Sequence, residues 1–281
     1  MSLTITQKEK NMRELIASNK TRPGIKGNQV IQSGDLVSAK SLLNIGRKNL
    51  LINGGFDVWQ RGELFTATSS NNTYETADRW KNFAETSGVF EKGFNGGLTL
   101  TKTTGAGEYA FIAQALESRN CNHLQGKTLT LSVKLKSSSG DPYARILIGT
   151  RLGLDERRVM TSPTNFVENT VKLSNVHFST FSVTMTVPDY DSDFTLAVFI
   201  DLRDTFAVTN NTSIRIKDVQ LEEGSEATEF EERHIAEELL LCRRYFRAAN
   251  NNNKLDRYSL EMRTTPTLTG ASAPYFYEAE I

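Results

Sequence analysis

The sequence predicts a mainly β protein: a jelly-roll β-sandwich with an N-terminal helical arm and one long C-terminal helix. Three observations predict it. Short runs of alternating apolar and polar residues follow one another from residue 47 to residue 223, and a period of two marks strands with one buried face. Turn-forming residues such as GDP, NN and DYDSD separate these runs, with no helical stretch between them, which favours a sandwich or jelly roll over a βαβ fold. Helical periods are confined to the two ends of the chain.

In order, residues 5–19 carry Met12, Leu15 and Ile16 at helical spacing, a short amphipathic helix that Pro23 and Gly24 end. Residues 35–44 allow a second, with Leu36, Ala39 and Leu43 on one side. Residues 1–46 therefore read as an arm or anchor that needs a partner surface, because a helix this short is marginal alone. The β-sandwich is expected over 47–230. It opens with LLINGGF, read as a strand entering a glycine turn, and continues at 83–94, 98–104, 108–116, 127–138, 144–153, 170–188, 194–203 and 213–223. The clearest strand is 127–138, where Leu129, Leu131, Val133 and Leu135 alternate with Thr130, Ser132 and Lys134. A covering helix is expected over 231–250, with Ile235, Leu239, Cys242 and Phe246 as its stripe and Leu240, Leu241 and Tyr245 widening it. Acidic residues at its start and Arg243, Arg244 and Arg247 at its end suit the helix dipole. The tail, 251–281, is strand-like and too short to fold alone, so it must pair with its own domain or a neighbouring subunit.

Composition removes several function classes. Lys+Arg and Asp+Glu both number 33, so no global field draws the chain to nucleic acid or to an anionic membrane. The N-terminus lacks an apolar run of signal-peptide length, and no stretch reaches the roughly 20 apolar residues of a membrane span. Synthesis in a cytoplasm is expected, without membrane insertion. Cys121 and Cys242 are the only cysteines, too few for a disulfide scaffold, and Cys242 reads as a small buried apolar side chain. His123, His177 and His234 are scattered, with no zinc spacing. No P-loop, G-x-S-x-G or G-x-G-x-x-G element occurs. No catalytic residue is assigned, and Glu222 and Glu223, adjacent on a strand, point to opposite faces.

Four sets of residues invite a role. Trp59 and Trp80 could stack on sugar rings, but their apolar and charge-paired neighbours favour the core. With Arg61, Asp78 and Arg79, and with Gln220, Glu222 and Phe230 from the closing segment, they are expected to form a structural clasp, in which a buried ion pair specifies more than it stabilises. Asn53, Asp57 and Asp218 offer hard oxygen atoms that suit calcium where first and last strands meet. Such side chains at strand ends are ordinarily solvated, so no metal or other cofactor is expected. DYDSD at 189–193 lacks the glycine and terminal glutamate of a calcium loop and reads as a turn. Tyr109 and Tyr143 are the candidate glycan-contacting aromatics outside the core.

Three ordered blocks carry a resemblance: NLLINGGFDVWQRGE at 49–63, YETADRW at 74–80, and DVQLEEGSEATEFEERHIAEELLLCRRYF at 218–246, with MRTTPTLTG at 262–270 behind them. They resemble bacteriophage virion proteins, chiefly tail-fibre and related appendage proteins. The chain departs from that pattern at Glu229 and His234, where the family more often has proline. The β domain is also similar to carbohydrate-binding jelly rolls, whose first strand often reads NLL-x-NG-x-F. The resemblance implies a non-enzymatic virion structural protein, a tail-fibre, appendage or decoration subunit that displays its sandwich for host attachment. Residues 1–46 would bind other virion proteins, the assembly would be a homotrimer, and exposed loops would face host-surface glycan. The alternatives are a glycan-binding module with no assembly role and, last, a capsule depolymerase.

Overall fold

The computed structural model describes residues 48–68, 73–85, 87–103, 110–138, 142–203, 211–249, 262–264, 267–269 and 275–280. The expected arm at 1–46 lies outside them, and so does Tyr109. Residues 49–281 form one compact unit.

Eleven strands make two antiparallel sheets. They are β1 (Leu64–Thr68), β2 (Lys81–Ala84), β3 (Ser87–Lys92), β4 (Leu98–Lys102), β5 (Ala110–Leu116), β6 (Thr128–Ser137), β7 (Tyr143–Leu152), β8 (Asn165–Lys172), β9 (Ser179–Thr186), β10 (Phe194–Arg203) and β11 (Thr212–Glu223). One sheet has the order β1-β3-β4-β11-β6-β9 and the other β2-β5-β10-β7-β8, so the chain shuttles repeatedly between layers. The inward side chains, Phe90, Leu100, Leu131, Ile214 and Leu221 from the first sheet and Ile112, Ile146, Phe194 and Ile200 from the second, make the main core, with Trp80 among them. This is the sandwich that the period-two pattern predicts.

A second apolar cluster lies on the outer face of the five-stranded sheet. Phe111, Leu147, Ala197 and Phe199 alternate with the core residues and are capped by Val159 and Met160 from a 3-10 turn, Arg157–Met160. Phe83 stacks on Phe111 with ring centroids 5.0 Å apart.

Three expectations are corrected. LLINGGF is not a strand: its amides turn to side chains, Ile52 N to Gln114 Oε1 (2.8 Å) and Leu51 N to Asn49 Oδ1 (3.1 Å), and Asn53 and Phe56 adopt left-handed backbone. The segment still runs beside β11. Leu50 N donates to Leu221 O and Val219 N to Gly54 O, filling the place that β4 leaves beyond Leu98. The long helix at 231–250 is also absent. The helix α1 covers only Ile235–Arg243, capped by His234 Nδ1, which accepts from Ala236 N. Its predicted stripe holds at Cys242, which is buried, and fails at Ile235 and Leu240, which are exposed, while the acidic Glu238 is buried. The chain then leaves the helix because Tyr245 and Phe246 are held elsewhere, and it becomes β12 (Phe246–Ala249). Finally, LFTAT at 64–68 is a strand that the pattern reading passed over, a short edge strand whose solvent-facing residues blur its alternation.

The tail pairs within this chain. The strand β14 (Tyr275–Glu278) lies between β12 and β13 (Thr267–Thr269) in a small third sheet.

Candidate functional site

The three sequence blocks meet around Asn53. Its Oδ1 accepts from Asp57 N (2.9 Å) and Val58 N (3.0 Å), and its Nδ2 donates to Val58 O and Asp78 O, both at 2.9 Å. Its backbone N donates to Glu238 Oε1 of α1, and its carbonyl accepts from Trp80 Nε1 (2.9 Å). A left-handed φ of 58° is needed to present these groups, which asparagine tolerates better than most residues. Asn53 therefore has no oxygen left for calcium, although it was grouped with Asp57 and Asp218 for that role.

The other clasp candidates fall into two groups. Gln220 and Glu222 hold the closing loop: Glu222 accepts from Thr228 N and its hydroxyl, and Gln220 Oε1 accepts from Glu231 N (2.8 Å). Phe230 sits half-buried beside Gly55. Trp59 is half-buried and donates to Phe56 O (2.7 Å), and Trp80 is fully buried against Phe56. Neither tryptophan is an open stacking platform.

Arg61, Asp78 and Arg79 form an ionic layer under the small third sheet. Asp78 accepts from Gln60 N (3.0 Å) and from Gln60 Nε2, and lies 3.8 Å from Arg61. Arg61 reaches Glu278 (3.5 Å) and Glu280 (3.3 Å), while its guanidinium lies 3.6 Å from the Phe246 ring centre. Arg79 is buried, pairs with Glu280, donates to Ala115 O (2.8 Å) and lies 3.6 Å from the Tyr245 ring centre. Tyr245 in turn donates to Glu117 (2.6 Å), which also pairs with Arg244 (3.0 Å). Tyr245 and Phe246 are thus spent on cation–π and hydrogen bonds to the sandwich, which is why the helix cannot continue through them.

These pairs make stability depend on pH. Burial pushes the Asp78 carboxyl up to about 6, against hydrogen bonds from Gln60 and the charge of Arg61. Its folded pKa lies above the unfolded one, so its contribution is present below pH 4 and lost as pH rises through 6. Two pKa units correspond to about 3 kcal/mol. Burial also opposes ionisation of Glu117, but hydrogen bonds from Arg244 and Tyr245 outweigh it and hold that carboxyl below its usual range. The Glu117 contribution is lost only at lower pH, as the folded carboxyl takes up its proton. Urea midpoints measured from pH 4.5 to 7 should fall less steeply in Asp78→Asn than in the parent. Parallel curves would remove Asp78 as the source.

Beside this layer is a cavity of about 400 Å³. The sandwich supplies Arg61, Phe65, Thr73, Tyr74 and Glu75, and the C-terminal sheet supplies Phe246, Phe276 and Glu278. Phe246 and Phe276 are stacked, with centroids 5.7 Å apart. From sequence, Arg61 was marked for the clasp and Phe246 for the helix stripe alone. The others went unmarked because Phe65 and Phe276 are 211 positions apart and nothing local couples them; the aromatic run PYFYE in the tail was the one available signal. Tyr143 begins β7, half-buried, and does not line this cavity.

A second, more polar groove is lined by residues that include Asp57, Lys92, Lys217, Asp218, Phe230 and Glu232. Asp218 occupies a bulge of β11 in left-handed backbone and pairs with Lys134 (2.6 Å). Burial, Asp218 and Glu232 raise the Asp57 carboxyl above its ordinary value. Among the described residues no three His, Cys, Asp or Glu side chains converge as a metal site. Cys121 and Cys242 are both buried free thiols, and burial pushes Cys121 up to about 12.

No protein-family model matches the chain, and no curated protein matches it. Among solved structures it is similar to one described as "CBM4 structure and function" (19% identity, TM-score 0.39, 61% of this chain and 98% of that one). It is similar also to the CBM22-1 xylan-binding domain of Xyn10C from Paenibacillus barcinonensis (12%, 0.36, 65% and 100%). A third is the enzymatically active domain of tailspike protein 4 of bacteriophage CBA120 (12%, 0.37, 63% and 21%). Likenesses this distant carry nothing about what this chain binds.

Proposed function

We propose that this chain is a non-catalytic glycan-binding protein whose site is the cavity between the sandwich and its C-terminal sheet. The observation that carries the reading is the wall chemistry. Phe65, Tyr74 and Phe276 supply apolar ring surface over the buried Phe246, and Arg61, Glu75, Glu278 and Thr73 supply a few polar groups on the same 400 Å³ space. Concave sites with aromatic walls and few fixed polar groups are the usual form of a small-ligand site. Sugars fit that mixture, because each ring has C–H faces for the aromatics and hydroxyls for the carboxylates.

The test is a glycan array followed by titration of the hits. Phe65→Ala and Phe276→Ala should each weaken binding about tenfold or more, with the folded-state circular dichroism retained. Unchanged affinity in both variants would sink this site. Incubated with host capsule, the protein should release no reducing ends, in keeping with a binding role.

A second reading places the domain on a phage particle as an appendage subunit, a homotrimer attached through residues 1–46. It is favoured by the tail-fibre-like blocks at 49–63, 74–80 and 218–246. Several linked copies would turn weak single contacts into firm attachment. Deleting 1–46 should then detach the protein from particles while leaving glycan binding intact.

A further inference from the structure

We infer that the cavity selects neutral saccharides and rejects those bearing carboxylates. The inference rests on the glycan-binding reading and sharpens it. Recognition of a sugar carboxylate ordinarily needs a free arginine fork, two parallel N–H donors facing the ligand. Among the described residues Arg61 is the only arginine lining the cavity, and it has no fork to offer. Its Nε faces Glu278 at 3.5 Å, its Nη2 faces Glu280 at 3.3 Å, and its Nη1 lies 3.8 Å from Asp78. Its flat face is taken by Phe246. Arg79, behind it, is buried against Glu280, Ala115 O and the ring of Tyr245. The nearby Lys81, 5.8 Å from the Tyr74 ring centre, is buried, and that burial lowers its pKa and disfavours its charge.

Among the described residues that line the cavity, two carboxylates, Glu75 and Glu278, stand against one cation, Arg61. Glu75 lines the cavity itself, and among the described residues none of the ion pairs includes it. Its side chain accepts a long hydrogen bond from Thr73 Oγ1 (3.4 Å). Glu75 is exposed, so its carboxylate accepts from hydroxyl donors and repels a second anion with a strength that salt screens.

The experiment uses the full chain and an acidic polysaccharide, polygalacturonate or sialylated glycan, beside its carboxyl-reduced neutral form. Binding is measured at low and high salt for the parent and for Glu75→Gln. The expected result is binding to neutral glycans, with acidic forms weaker by about tenfold or more. The gap should narrow in Glu75→Gln and at high salt, where the repulsion is screened. An acidic form bound as tightly as its neutral form by the parent chain overturns the selectivity and leaves the glycan-binding reading standing. Absence of binding to any glycan overturns both.

Discussion

Replacing Asn53 by alanine is expected to lower stability by about 4 kcal/mol. The substitution strands two backbone amides, of Asp57 and Val58, and two carbonyls, of Val58 and Asp78, that its side chain now satisfies. Asn53 is fully buried, so water cannot replace these partners without opening the clasp. A buried group left without a partner costs about 1–3 kcal/mol, and relaxation of the loop recovers part of the total. Alanine is also strained at φ 58°. Asn53→Asp should fare little better, since it loses both donors and places a charge beside Glu238, whose Oε1 already accepts from the Asn53 amide. Urea unfolding reads the change directly, and a loss under about 1 kcal/mol would show that the clasp does not depend on this side chain.

Replacing Glu280 by alanine is expected to cost about 3 kcal/mol and to release the C-terminal sheet from the sandwich. Glu280 is the counter-charge for Arg79 and contributes to that of Arg61, whose side chains are only 2% and 7% exposed. Removing it leaves a buried guanidinium without its partner, the costly way to break a buried pair. The effect should be local first. Hydrogen exchange at 275–279 should accelerate, while the amides of β6 and β11 remain protected up to global unfolding. Because Phe246, Phe276 and Glu278 come from that sheet, glycan binding should be lost with it. If exchange at 275–279 is unchanged, the ionic layer does not hold the sheet in place.

The sandwich was legible because each inner strand is buried on one face against the other layer, so its sequence repeats that geometry every second residue. Thr128–Ser137 shows this plainly: Leu129, Leu131, Val133 and Leu135 are all in the core. The errors came where the partner of a residue lies far away in the chain. LLINGGF looks like a strand by composition, but the amides of Leu51, Ile52 and Asn53 donate to the side chains of Asn49, Gln114 and Glu238, which no local pattern can announce. LLLCRRYF reads as helix by period, yet Arg79 and Arg61 take the rings of Tyr245 and Phe246 from positions more than 160 residues away. Arg61, Asp78, Arg79 and Trp80 could be singled out as a group, but Glu280, their counter-charge, could not be. It sits in an unremarkable tail.

By itself the sequence determined the class of the protein: a period-two chain with balanced charge, which needs two sheets to bury its apolar residues. It also marked the blocks that close the domain, because buried tryptophans, glycines and paired charges are conspicuous in any chain. Only the tertiary structure brought together the walls of the proposed site. The cavity joins a wall from residues 61–75 to one from residues 246–278, and these meet because buried arginines of the sandwich take Glu278 and Glu280 of the C-terminal segment as counter-charges beside Asp78. Local pattern encodes burial, residue by residue. A site assembled from two distant segments is encoded only in their packing.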